Sequence, residues 1–298
     1  MGITQNYKLN TIQWYPGHIA KAEKQLKEQL KLVDVVLEVR DARIPVSTHH
    51  PQLQEWIGNK SRVLVINRFD MILPQTKQAW INWFKRQGEV PYYTNAQHGQ
   101  GVPAVLKAAQ AEGVQLNERR KSRGMLPRPV RAVVIGFPNV GKSALINRIL
   151  GKRVVESAAR PGVTRSLRWV RISDELELLD APGVIPLKLQ NQDAAVKLAI
   201  CDDIGDASYD NQLVAAAFLD IISYLEAVAP ELLPKQALNE RYKLDPTEHT
   251  GEGYLHALAE HRYKGDVERT ARQLLTDYRK GFLGQIPLEI PTQFSGDE

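Results

Sequence analysis

A chain of 298 residues in which 43% are apolar can fill the cores of two ordinary domains, so a globular protein is expected. One cysteine, Cys201, excludes an intramolecular disulfide and a cysteine-based zinc cage, and reads as a small buried apolar residue. A net charge of +5 modestly favours a polyanionic partner without separating RNA binding from ordinary solubility. No run of eighteen apolar residues occurs, and MGITQNYKLN has neither a signal-peptide pattern nor a Ser or Thr at position 6. A cytoplasmic location with no membrane partner is the expectation.

Val33 to Arg40, Ser61 to Asn67 and Val130 to Ile135 are short, β-branched and nearly continuously apolar, as strands buried on both faces must be. Helical stretches at Gln75 to Gln87 and Val102 to Glu112 alternate with them, which predicts a doubly wound, mostly parallel α/β sheet. Leu167 to Ile172 and Glu175 to Leu179 add a hairpin turning at Ser173-Asp174. After about Leu187 helical periodicity takes over, at Ala194 to Ile200, Gln212 to Val228 and Gly265 to Gly281, with LLPKQ and LDPTEHTGEG as connecting loops. The expected division is an α/β domain over 1–188 and a smaller all-helical domain over 189–298.

Two basic stretches stand out. Arg119, Arg120, Lys121, Arg123, Arg128 and Arg131 lie where Gly124, Pro127 and Pro129 oppose a helix, and read equally as a solvated linker or a phosphate-backbone contact. In the tail, Arg262, Lys264, Arg269, Arg272, Arg279 and Lys280 leave the same two readings open, since Glu268 and Asp277 interleave them.

GFPNVGKS, Gly136 to Ser143, sits between the strand RAVVI and the helix SALINRIL. A glycine-rich turn in that setting directs successive backbone N–H groups at phosphate oxygens, with the helix dipole behind them. Gly136 and Gly141 permit the close approach, Pro138, Asn139, Val140 and Ala144 complete the cradle, Lys142 reaches the outer phosphates, and the Ser143 hydroxyl can ligate magnesium. Downstream, Asp180 ends an apolar strand where its carboxylate could hold the same ion, and the Gly183 N–H could turn towards a γ-phosphate. Thr164, in RPGVTR, is a third candidate ligand on a segment able to switch.

Recognition of guanine needs an Asn and an Asp after a strand, the Asp accepting from the base N–H groups that adenine does not present. No such pair follows Gly183. Upstream, however, SRVLVIN runs into Asn67-Arg68-Phe69-Asp70, and Val90 to Thr94 ends in Thr94-Asn95-Ala96, suited to presenting backbone N–H groups to the base oxygen. The base-reading half precedes the phosphate-reading half, as in a circular permutation. An ATPase of the same architecture is the competing reading.

In order, WYPGHIAKA (Trp14 to Ala22), DARIP (Asp41 to Pro45), NRFD, TNA, GFPNVGKS, RPGVTR and DAPG resemble the circularly permuted GTPases, and within them the ribosome biogenesis GTPase A family. The resemblance covers nearly the whole chain and extends more weakly to DYRKGFLG, Asp277 to Gly284. It implies a GTP-hydrolysing assembly factor of the large ribosomal subunit that binds rRNA and is stimulated by the ribosome, with GTP and GDP as ligands, Mg2+ as cofactor, no DNA partner and a monomeric state. A GTP-dependent switch that recruits a protein partner is the alternative.

The residue after Gly183 is Val184, which cannot orient the attacking water as a Gln would. The resemblance implies His18 for that task, and implies that Asn139 holds a potassium ion. Arg68 departs from the family's usual Lys; Arg can stack over the base yet need not reach the same loop contacts, so guanine preference rests on Asp70. Asp41 and Arg43 read as a structural ion pair.

Overall fold

The computed structural model describes residues 23–24, 26–151, 168–180, 191–204, 209–246 and 250–294, with the backbone alone at 168–170 and 180. Six strands, β1 (Val35–Asp41), β2 (Ser61–Asn67), β3 (Pro91–Thr94), β4 (Val130–Ile135), β5 (Arg168–Arg171) and β6 (Leu176–Asp180), form one sheet in the order β3-β2-β1-β4-β6-β5. All neighbours are parallel except β5 and β6, the expected hairpin.

Helices α1 (Leu53–Ile57), α2 (Pro74–Arg86), α3 (Val102–Ser122) and α4 (Lys142–Leu150) connect the strands. Both faces of the sheet are covered because its strands are apolar on both. Val36, Val133, Ile135 and Leu179 pack under the helical residues 26–30 and α1, and Leu64 and Ile66 pack on the same side under Trp80 and Phe84 of α2. Val35, Leu37, Val39, Ala132 and Val134 face the opposite way, towards Val105 and Ala109 of α3 and Leu145 of α4.

The strands also carry charge. Glu38 of β1 is 2% exposed and is held by Arg40 of β1, Arg62 of β2 and His49. Burial alone would raise its carboxyl; the Arg40 guanidinium and the His49 hydrogen bond overrule it and hold the group far below the usual carboxylate range.

The remaining helices are α5 (Gln192–Ile200), α6 (Asn211–Val228), α7 (Ala237–Tyr242), α8 (Gly251–Tyr263) and α9 (Val267–Arg279). Helix α6 is long and apolar enough to cross a membrane, but Val214, Phe218, Ile221, Ile222 and Leu225 fill a core shared with Tyr254, Leu258, Leu274 and Tyr278 of α8 and α9. That core is continuous with the apolar layer over β1 and β4. The expected boundary at residue 188 lies outside the described residues.

Two expectations need correction. Helix α3 runs to Ser122, so Asn117 to Ser122 are helical rather than linker. The LDPTEHTGEG loop is shorter than expected, because α8 starts at Gly251 under a Thr250 cap.

The tail closes the structure. Glu289, 1% exposed, accepts from the backbone N–H groups of Val46 and Ser47, from the Ser47 hydroxyl and from Lys197 Nζ at 3.3 Å. Leu288 N–H donates to the Arg43 carbonyl at 3.0 Å, and Phe294 packs tilted against Trp80 and edge-on to Trp83 of α2.

Candidate functional site

The loop from β4 to α4 lies beside the carboxyl ends of β1 and β2, the edge at which open α/β sheets bind ligands. It adopts an unusual backbone: Asn139 has φ of 57° and Gly141 has φ of 102°. A Cβ on Gly141 would meet Asn67 Nδ2 at 2.1 Å, so a side chain there would displace the base-side loop. Lys142, 7% exposed, curls back so that Nζ donates to the Phe137 carbonyl at 2.7 Å, which holds the ammonium over the loop. Pro138 and Val140 are buried, with Val140 N–H donating to the Pro138 carbonyl at 2.8 Å, while Ser143 and Ala144 are half-buried in the first turn of α4.

The two halves that the sequence separates by some seventy residues meet through Asn67. Its Nδ2 donates to the Val140 carbonyl at 2.8 Å, and its Oδ1 accepts from Thr94 Oγ1 and the Ala96 N–H, each at 3.0 Å. Three of the four hydrogen bonds an asparagine can make are thereby spent inside the protein. In this structure Asn67 and Thr94 brace the loops, and the Ala96 N–H expected to face the base is given to Asn67. Asn95 likewise serves its own turn, Oδ1 accepting from His98 N–H at 3.1 Å. Asp70 differs: its carboxylate is exposed in the Phe69–Met71 turn, open to a ligand.

Arg68 sits in the left-handed region at φ of 61° and reaches over the phosphate loop, donating from Nη2 to the Asn139 carbonyl at 2.6 Å with Nη1 3.6 Å from Asp41 Oδ2. Asn139 points its amide away from that side, Nδ2 donating to the Asp202 carbonyl at 2.6 Å. Beneath them, Asp41 and Arg43 form the expected pair, both fully buried, with Nε to Oδ1 at 3.0 Å and Nη2 to Oδ2 at 2.8 Å. Burial would raise Asp41, but the Arg43 guanidinium keeps it ionised below its ordinary range. Asp203, also fully buried, has no hydrogen-bond partner for either oxygen among the described residues; burial, then the Asp41 charge, push its carboxyl well above the normal range. Cys201 is the buried apolar residue expected.

Several site residues carry no sequence signal. Arg148 of α4 ties down the base-side loop by donating to the Ala96 carbonyl at 3.4 Å and to the Gln97 carbonyl. Gln285 donates to the Asp70 carbonyl at 2.9 Å from the far end of the chain. Asp202 and Arg279 belong to the helical region. The basic stretches also lose members: Arg128 makes a bidentate pair with Asp34 at 2.7 and 2.8 Å, Arg131 pairs with Glu177, Arg272 with Glu268, and Arg279 is turned inwards onto backbone carbonyls. His18, Thr164, Gly183 and Val184 lie outside the described residues. Asp180 is placed by its backbone alone, opposite Val134 near the loop end of β4.

A parallel sheet whose phosphate loop follows a mid-sheet strand, with its base-reading loops on strands that come earlier in the chain, defines a circularly permuted P-loop GTPase. The family described as 50S ribosome-binding GTPase matches residues 131–227. Ribosome Biogenesis GTPase A of Bacillus cereus is 36% identical over 289 residues, covering 95% of each chain. The protein of the same name from Bacillus pumilus is 39% identical over 226 residues, 76% of this chain and 79% of that one. The crystal structure of GNP-bound YlqF from T. maritima matches with a TM-score of 0.62 at 24% identity, over 91% of this chain and 98% of that one, and supports the fold. The chain belongs to the ribosome biogenesis GTPase A family. It is a GTPase, converting GTP and water to GDP and phosphate.

Proposed function

We propose that this GTPase is an assembly factor of the large ribosomal subunit, working in the cytoplasm, whose hydrolysis is stimulated when it is seated on rRNA. The observation that carries this reading is the match along 95% of both chains to a relative named for ribosome biogenesis, so that the helical region is shared as well as the GTPase fold.

The phosphates lie along the N–H groups of Gly136 to Ala144, with Lys142 moving its ammonium from the Phe137 carbonyl to the outer phosphates. Asp70, exposed at the base-side loop, accepts from the guanine N–H groups and rejects adenine. Magnesium fits the donor set: Ser143 lies in the first turn of α4, and the backbone register sets Asp180 opposite Val134, just before the loop starts. When bound, Mg2+ neutralises charge on the transferred phosphate. Thr164 completes that set, Gly183 senses the γ-phosphate, and His18 orients the attacking water, because Val184 has no group to do so. Asn139 Oδ1, the acceptor end of the amide whose nitrogen is held by Asp202, suits a potassium ion beside the phosphates.

Sedimentation with purified large subunits tests the proposal. With a non-hydrolysable GTP analogue the protein should travel with the subunit, and with GDP it should stay in the soluble fraction. A protein that remains soluble in both states at low salt, and binds a defined protein partner instead, would make it a recruiting switch.

A further inference from the structure

Six non-glycine residues among those described have positive φ, and three of them are joined in series. Arg68 (61°) donates to the carbonyl of Asn139 (57°), and the Asn139 amide donates to the carbonyl of Asp202 (68°), both at 2.6 Å. Side chains in this backbone region are costly and persist where surrounding contacts over-determine them, which happens most at ligand sites and switches. The series runs from the base-side loop, through the phosphate loop, into the helical region.

Asp202 is where α5 ends. Its N–H donates to the Ala199 carbonyl at 3.1 Å and the Asp203 N–H to the Leu198 carbonyl at 2.8 Å, the paired bonds of a Schellman cap with aspartate at the position glycine usually takes. Arg279, at the end of α9, also grips this cap. Its Nε donates to the Ile200 carbonyl at 3.0 Å, its Nη2 to the Ala199 carbonyl at 2.8 Å, and its Nη1 lies 3.8 Å from Asp202 Oδ1. The neighbouring Asp203 carboxyl, buried without a partner among the described residues, gives the turn little stability of its own. A carbonyl only accepts, so Asp202 fixes the nitrogen end of the Asn139 amide towards itself and leaves Oδ1 facing elsewhere.

We propose that Arg279 is a positioning residue for the nucleotide site, acting through the cap Cys201–Asp203 to set the amide of Asn139 and, with it, the phosphate loop. The helical region is then part of the nucleotide-binding apparatus, and by reciprocity nucleotide binding tightens the grip of Arg279 on the cap. The proposal rests on Gly136–Ser143 being the nucleotide loop.

A double-mutant cycle on the full-length protein tests it, reading the affinity for fluorescently labelled GDP, the KM and kcat for GTP, and the melting temperature without nucleotide. Arg279→Ala and Asn139→Ala should each weaken nucleotide binding by roughly five-fold or more, with KM rising more than kcat falls, and the double variant should be no worse than the worse single one. Arg279→Lys, milder should the alanine variant fold poorly, should recover part of the affinity by reaching one carbonyl. The proposal is overturned if the two losses multiply in the double variant. It is equally overturned if the Arg279 variants melt earlier yet bind nucleotide as the wild type does. A wild-type protein that fails to bind labelled GDP would instead remove the nucleotide-loop reading underneath.

Discussion

Helix beginnings differ between the two regions of the molecule. In the helical region α5, α6, α8 and α9 all start under a side-chain cap, supplied by Asn191, Asp210, Thr250 and Asp266. On the nucleotide side none of the helices whose start is described has one; α2 begins with Pro74 and α3 carries Pro103 at its second position, each of which removes a donor instead of satisfying it. Among the described helices of nine residues or more, Lys142–Leu150 alone starts with neither device. A capping side chain takes up one or two of the N–H groups at a helix start and leaves fewer to face an anion. The phosphate helix forgoes that local stability and keeps its first turn open, while the four longer helices of the helical region cap their own starts.

Substitutions should separate along the same line. The largest effect is expected from Asp70→Asn, whose exposed carboxylate bears no structural load: GTP affinity should fall by roughly 10²-fold, the value of a charged hydrogen-bonding partner, with an unchanged melting temperature. Equilibrium binding beside a thermal melt checks both, and a lowered melting temperature with intact GTP binding would remove Asp70 from the base site. Asp210→Ala should do the converse, costing about 1 kcal/mol of stability by exposing the Gln212 and Leu213 N–H groups while nucleotide affinity holds. Denaturant titration reads the first and labelled-GDP binding the second; a change in affinity would show that the caps reach the site.

At neutral pH no effect is expected from His50, packed against Trp56 with ring centroids 4.2 Å apart; its contribution is confined to acid. Burial, ahead of any neighbouring charge, pushes its pKa down from 6.5 to about 4. Its Nδ1 accepts from the Gln52 N–H at 3.3 Å, so protonation also breaks a hydrogen bond. The unfolded chain takes up this proton near pH 6.5 and the folded chain only near 4, so stability is lost as pH falls through that window. His50→Gln should flatten the pH dependence of unfolding between those limits; an unaltered slope would place the titration elsewhere.

Much of this was legible in the residues. Apolar runs marked β1, β2 and β4, the glycines and Lys142 marked the phosphate loop, and NRFD before GFPNVGKS marked the permutation. The true extent of α3 was hidden because Gly124, Pro127 and Pro129 oppose a helix in the basic stretch, whereas the helix runs to Ser122 before it meets them; Gly113 within it serves close packing, since a Cβ there would strike Val130 Cγ2 at 2.0 Å. The bracing role of Asn67 was invisible for another reason. A motif states which residues meet a ligand but not which meet each other, and its contacts with Val140 and Ala96 exist only once three separate loops converge. Arg279 was read as surface charge for the same reason, since the carbonyls it binds have no signature in a sequence.

The grip of Glu289 on Val46 and Ser47 spans 243 and 242 residues of chain. A ribosome makes the base-side loops of this protein first, yet the Gln285 contact with Asp70 waits for a residue made 215 positions later, and the Glu289 clamp beside the DARIP segment for one made later still. The base-side loops of a growing chain therefore go without these supports over a long interval of synthesis, and the contacts that brace them form only after residues 285–289 have been made.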